Sequence, residues 1–272
     1  MNQYIANIPS GSVAAQNLAD WALSHGVASL TTAEVAHLCG IPANQVPQRM
    51  AAPRRASRVF SPARGLWVPV APEYRTWGAP DPMLYIGQMM EHLGCGYLVG
   101  WLAAAARHGA SHQAPQSFQV ATSRALRNRV AGRSRLEFHA RGYAATAPCC
   151  RKTLAKTGVR VATPAVTMLM LAADPGFCGG MDNVATAVVE LAEESPSSAD
   201  GLAGSAGLFP DSAARRLGWI LDEFGDGAPD GLAGYCASLE SSPSYLSPAA
   251  PKGGALVSKW GIIVNQGVDP DL

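Results

Sequence analysis

The sequence is poor in the motifs that announce catalysis. It has no GxxxxGK(S/T), no HExxH, no GxSxG and no GxGxxG after a strand. The phosphate loop, the helical zinc site, the nucleophile elbow and the dinucleotide fingerprint are therefore missing. Its six cysteines, Cys39, Cys95, Cys149, Cys150, Cys178 and Cys236, form no CxxC pair. Adjacent Cys149 and Cys150 are badly spaced to share a metal, and all six read as reduced thiols of a cytosolic protein. His108 and His112 are four residues apart, but Gly109 interrupts any helix between them and no second motif completes a ligand set. Cys149 or Cys150 would need a base and an orienting group to act as a nucleophile, and the nearby His139 is weak support. Asp222 and Glu223 read as solvated carboxylates at a helix end. No catalytic residue, metal or cofactor is expected, and the chain does not read as an enzyme.

Long apolar runs are also missing. Tyr97–Ala106 and Ala165–Ala173 are far too short to span a bilayer. No basic segment followed by an apolar core opens the chain, so a cytoplasmic protein with no membrane partner is expected. Charge is scarce, at 15% of residues, against 48% hydrophobic, which is a globular composition. The net charge of +1 conceals segregation. Residues 1–80 carry six arginines and three acids. Residues 107–160 carry eleven Arg and Lys against Glu137 alone, and residues 181–240 carry eleven acids against Arg215 and Arg216. A polarised molecule with basic sides suits a polyanion, and its acidic part suits solubility or a basic partner.

The most informative absence is local. Between Glu34 and Glu73 there is no acid, yet Arg49, Arg54, Arg55, Arg58 and Arg64 all fall there. Thr31 and Glu34 have the spacing of a capping box. Val35 and Leu38 give an apolar stripe, and Gly40 suits a left-handed helix stop. A second short helix follows, then two β-prone runs, Val59–Phe60 and Leu66–Val70, around the turn-rich Ser61–Gly65. The order is that of a helix-turn-helix with a β-wing. Such a unit offers side chains to base edges in the major groove and cations to phosphates. A short helix pair with a solvated arginine face would have the same composition. Asn44, Gln45, Gln48 and Arg49 are the candidates for base contact, Arg58 and Arg64 on the wing are placed for a phosphate backbone or a minor groove, and Arg54 and Arg55 complete the DNA-binding set. Pro47 conflicts with a standard recognition helix, because its ring would meet the Ala43 carbonyl. The helix must start late, with Pro47 in its first turn, or kink.

At 272 residues the chain has room for two domains. A helix from Ser12 to His25, with Ala15, Leu18 and Leu23 inward, precedes the helix-turn-helix. The Pro-rich stretch 71–82 marks a boundary between a DNA-binding domain at 1–75 and a larger domain at 82–272. The second domain is expected to open with helices over Asp81–His92 and Gly96–Arg107. Strands at Ser117–Thr122, Leu136–Ala140 and Val159–Thr163 should follow. Helices at Pro164–Ala173, Met181–Glu194 and Asp211–Phe224 and a final strand at Lys259–Val264 complete it, with 195–208 and 225–231 small and flexible. The fold class is α+β, an N-terminal winged helix followed by a mixed α/β domain. Arg124, Arg127, Arg129, Arg133 and Arg135 form a basic connection within the second domain.

Five segments in order resemble the AbiEi-type antitoxins of bacterial toxin–antitoxin and abortive-infection operons. They are Arg64-Gly65-Leu66-Trp67, Tyr97–Gly109 with His112-Gln113, Val159–Pro164, Arg215–Asp222 and Lys259–Asn265. The resemblance implies a winged helix that binds inverted repeats in double-stranded DNA of its own promoter and represses the operon. It also implies a C-terminal domain that counters a nucleotidyltransferase-like toxin without holding it stably. Carried over by position, Asn44–Arg49 and Arg54–Arg64 would touch DNA, and Arg124–Arg135 would form a functional surface of the C-terminal domain. The family's basic, proline-free recognition run is interrupted here by Pro47. Repression would use a dimer or cooperatively bound monomers. The alternatives are a protein that neutralises its toxin by direct binding, and a winged-helix regulator with no toxin.

Overall fold

A computed structural model describes residues 3–110, 116–154 and 157–272. The N-terminal part begins with α1 (Gln3–Ala6) and α2 (Leu18–Ser24), then β1 (Leu30–Thr31) and α3 (Thr32–Cys39). Two short helices, α4 (Val46–Arg49) and α5 (Ala51–Arg55), lead to a hairpin of β2 (Val59–Ala63) and β3 (Leu66–Pro69). β3 is central, paired antiparallel to both β1 and β2. Ile5, Leu18, Ala22, Leu30, Val35, Leu38, Val46, Met50 and Trp67 pack into one buried cluster that joins α1, α2, β1, α3, α4 and β3. The expected Ser12–His25 helix is shorter than its pattern suggested. A 3-10 turn at Ala15–Asn17 precedes α2, where Leu18, Ala19 and Ala22 are buried, while Ala15 packs against the cluster half-buried and Leu23 is half-buried outside it.

The second part opens with α6 (Ile86–His92), β4 (Tyr97–Val99) and α7 (Trp101–Ala105). Then come β5 (Ser117–Thr122), β6 (Arg129–Ala131), β7 (Ser134–Ala140), β8 (Cys149–Leu154) and β9 (Thr157–Ala162). Strands β4–β9 form a six-stranded mixed sheet in the order β6-β7-β5-β4-β9-β8. Here the sequence expectation fails. Tyr97–Val99 is a strand and not the start of a Gly96–Arg107 helix. β4 is a central strand, antiparallel to β5 and parallel to β9, and Leu98 and Val99 are both fully buried. A strand covered on both faces loses its polar alternation and looks like a buried helix. The chain turns into α7 through Gly100, where a Cβ would overlap the Met170 side chain, and through Trp101, whose φ is +48°.

Helices α8 (Pro164–Ala173), α9 (Met181–Glu194), α10 (Ala199–Ala206), α11 (Asp211–Phe224) and α12 (Asp230–Ala237) follow. The apolar α8 is buried along Ala165–Ala172, packed against α7, α9, α10 and α11. Residues 195–208 are not a flexible spacer, because most of them fold as α10. Its Gly201 has only Ala165 of α8 across from it, so the absence of a side chain permits close approach. A small sheet, β10 (Ser244–Tyr245), β11 (Ala255–Val257) and β12 (Ile262–Val264) in the order β10-β12-β11, closes the chain.

Candidate nucleic-acid interface

α3 is built as its sequence dictates. The Thr31 hydroxyl accepts from the Glu34 amide at 3.3 Å, and the Glu34 carboxylate accepts from the Thr31 amide at 2.7 Å, closing both halves of a capping box. Gly40 ends the helix with φ 63° and ψ 35°. Its backbone lies so close to Gly11 that a Cβ there would press on the Gly11 backbone, at 2.9 Å from its Cα. The turn is therefore fixed by tertiary contact as well as by φ.

The following segment resolves the conflict over Pro47. α4 starts late, with Pro47 in its first turn, where the missing amide costs no helix bond. A joint at Met50, with φ −81° and ψ −4°, separates α4 from α5. Pro53, fully helical yet unable to donate to the carbonyl of Arg49, sits just beyond the joint. Val46, Met50 and Pro53 point inward. Asn44 and Gln45 in a 3-10 turn before α4, Gln48 and Arg49 on α4, and Arg54 and Arg55 on α5 are all exposed.

The hairpin arginines differ. Arg64 is exposed at the turn, beside Gly65 with φ 82°. Arg58 is half-buried and pairs with Asp20, which also holds Arg75 at 3.3 Å. Arg58 thus serves the junction with α2 and carries a compensated charge.

The hairpin is tied to the second part of the chain. Arg129 donates to the Pro62 carbonyl. His92 Nε2 lies 2.9 Å from the Arg64 carbonyl. Phe60 meets Tyr85 edge-on at 5.6 Å. Ala63, Leu66 and Val68 are buried in the larger core and not in the N-terminal cluster. Arg124 donates to the Leu93 carbonyl at 2.8 Å, one residue from His92, so it stands near the same hairpin turn.

The basic connection is therefore not a single face. Arg124 and Arg129 lie at the hairpin junction, and Arg127 is exposed between them. Arg133 and Arg135 line a separate cleft with Trp77 and Arg107. Burial holds the Arg129 guanidinium below its ordinary pKa.

Charge reading missed the residues that hold the C-terminal part together. Arg215 and Arg216 are only 3% and 5% exposed and have no carboxylate partner among the described residues. Arg216 donates to the carbonyls of Ala172 (3.0 Å) and Leu246 (2.8 Å), the first at the C-terminal end of α8, where a cation suits the helix dipole. Arg215 reaches the carbonyls of Ser241, Ser242 and Gly261. Asp222 is not a solvated carboxylate. It accepts from Lys259, the Trp260 indole and the Ala228 amide, which clamps the terminal sheet onto α11. Asp174 likewise binds Arg141 at 2.7 Å and the Trp101 indole at 3.2 Å. Adjacent arginines on an amphipathic helix carry no signal that distant carbonyls will meet them.

The catalytic candidates are not assembled. Cys149 and Cys150 are half-buried in β8, and burial raises the Cys178 and Cys236 thiols. His139 stacks on Phe177 at 3.9 Å between centroids, with Glu137 3.8 Å from its Nε2. His108 binds the Ala162 carbonyl at 2.7 Å, and His112 lies outside the described residues. Among the described residues no group of three His, Cys, Asp or Glu side chains could hold a metal, and no helix is long and apolar enough to cross a membrane.

The fold is similar to the crystal structure of the RV2827C protein from Mycobacterium tuberculosis. The TM-score is 0.66 at 17% identity, over 94% of each chain. No curated protein matches. Residues 98–223, from β4 into α11, match the family model of the AbiEi antitoxin C-terminal domain. That match supports an AbiEi-type antitoxin family and the role of antitoxin in a toxin–antitoxin system.

Proposed function

We propose that the protein is a DNA-binding antitoxin that represses its own operon and counters a nucleotidyltransferase-like toxin. In this reading residues 1–75 form a winged helix, with α4 and α5 facing the major groove and the β2–β3 hairpin as the wing. One observation carries it. Asn44, Gln45, Gln48, Arg49, Arg54 and Arg55 are all exposed on the 3-10 turn Ala43–Gln45 and the two short helices after it, with no acid between Glu34 and Glu73 to neutralise them. Such a surface supplies base-reading amides and phosphate-binding guanidiniums at once. Arg64 and, across the junction, Arg124 and Arg127 extend the basic surface. Arg58, paired with Asp20, contributes less.

Binding should be to paired half-sites upstream of the gene, by a dimer or by cooperatively bound monomers. A gel shift with that DNA tests it. A specific shift abolished in the Arg49→Ala, Arg54→Ala, Arg55→Ala triple variant supports the proposal, and binding unchanged in that variant overturns it.

A second reading, direct neutralisation of a basic partner, has its own support. A cleft of about 380 Å³ among α8–α11 combines apolar Met168, Val189, Leu202 and Leu221 with the acids Glu193 and Asp226. Co-elution of toxin and antitoxin in size-exclusion chromatography would favour it.

A further inference from the structure

The cleft that takes Arg133 and Arg135 away from the hairpin junction is not used by the duplex-binding surface. It has a volume of about 400 Å³ and opens where β5 and β7 begin, between α7 and the segment 77–82. That volume lies within the range of small-ligand pockets. Its inner wall is apolar, formed by Ala103 and Phe118. Its rim carries three guanidiniums, Arg107, Arg133 and Arg135, and the indole of Trp77, which is 47% exposed.

The rim is held in place. Gly132, with φ +59°, presses the β6–β7 turn onto the backbone of Trp77–Ala79 so closely that a Cβ would overlap the Trp77 carbonyl. This contact sets Arg133 beside Trp77. The charges are unequal. Arg107 is bound to Asp81 at 3.1 Å, and Arg135 meets Glu137 at 3.3 Å. Arg133 has no ion-pair partner among the described residues. One full positive charge, with further N–H donors beside it, therefore faces a cleft that also offers a large exposed aromatic ring.

Guanidinium forks suit phosphate oxygens, and an exposed indole beside them suits a planar base. The geometry points to a binding site for a nucleoside phosphate, with its phosphate on Arg133 and Arg135 and its base against Trp77. The ligand is either a free nucleotide or the 5′-phosphorylated end of a single strand. The site is separate from the duplex surface on α4 and α5 and does not depend on it.

Isothermal titration of the full-length protein tests this with four probes: ADP, adenosine, and a thymidine hexanucleotide with and without a 5′-phosphate. The expected result is binding of ADP or of the phosphorylated hexanucleotide, at least tenfold weaker without the phosphate. Trp77→Ala and Arg133→Ala should each weaken it about tenfold, while Trp77→Phe keeps most of it. Preference for ADP marks a free nucleotide, and preference for the phosphorylated hexanucleotide marks a strand end. Absence of binding by both phosphorylated probes, or binding indifferent to Trp77→Ala and Arg133→Ala, overturns the site. Both residues are exposed, so the variants should fold, and a thermal melt checks that they do. Promoter-duplex binding by the same variants should be unchanged, so failure of this site and failure of the duplex reading are told apart.

Discussion

Arg129 donates a hydrogen bond to the backbone carbonyl of Pro62, joining the first strand of a C-terminal hairpin to the turn end of the N-terminal one. Beside it His92 meets the Arg64 carbonyl, and Ala63, Leu66 and Val68 are buried in the larger core. The β2–β3 hairpin thus has one face in each part of the molecule.

The first prediction follows from that junction. A 1–80 fragment would expose Ala63, Leu66 and Val68, and it should melt well below the full chain or aggregate. In the full chain Arg129→Met leaves the Pro62 carbonyl unpaired and should cost about 1–3 kcal/mol. Thermal denaturation by circular dichroism measures both. A 1–80 fragment as stable as the whole protein would show that the hairpin does not need its second core.

The second concerns Trp260, which is buried against Gly218 and bonded to Asp222. A Cβ at Gly218 would overlap the rigid indole. Gly218→Ala should displace Trp260, red-shift tryptophan fluorescence and destabilise by about 1–3 kcal/mol. An unshifted spectrum with an unchanged melting temperature would contradict the packing.

The third is a pH dependence. Burial pushes the pKa of His139 below its ordinary value, outweighing the nearby Glu137 carboxylate, which acts the other way. The folded state therefore favours neutral His139. Its contribution is present above the unfolded pKa of about 6.5 and is lost as pH falls through that value towards the folded pKa. The melting temperature should drop between pH 7.5 and pH 5, and His139→Gln should flatten that part of the curve. An identical pH profile in the variant would remove His139 as its source.

Local rules made part of this structure legible in the sequence. Thr31 with Glu34 specifies the start of α3 and Gly40 its stop, each acting on backbone within one turn of itself, and the structure has each feature in place. Pro47 forced a late helix start for the same reason, since its constraint acts on its own backbone. Long-range partners defeated the reading elsewhere. Tyr97–Val99 became a strand because β5 and β9 flank it, and those pairings leave no periodic trace. Ala199–Ala206 read as loose because of its glycines, yet at Gly201 the missing side chain lets Ala165 of α8 lie close. The arginines 124–135 read as one surface, yet pairing of β6 with β7 carries Arg129 to the hairpin and Arg133 to the cleft.

The fourth prediction is that charge on α4 and α5 sets the salt dependence of DNA binding. Removing one phosphate-binding arginine should lower the slope of log affinity against log salt by about 0.9. Arg54→Ala and Arg55→Ala should each do so, whereas Arg58→Ala, already paired with Asp20, should change it less. Equal effects at all three positions would mean that the Arg58–Asp20 pair opens on DNA.

DNA binding itself is best tested by a fluorescence-anisotropy titration of the full-length protein. The probes are the duplex immediately upstream of its gene and a shuffled duplex, each at low and moderate salt. A winged-helix repressor should bind the upstream duplex more tightly, weaken steeply with salt, and bind almost not at all with Arg54→Glu and Arg55→Glu together. Equal affinity for both duplexes, or binding that ignores the charge reversal, would contradict that role.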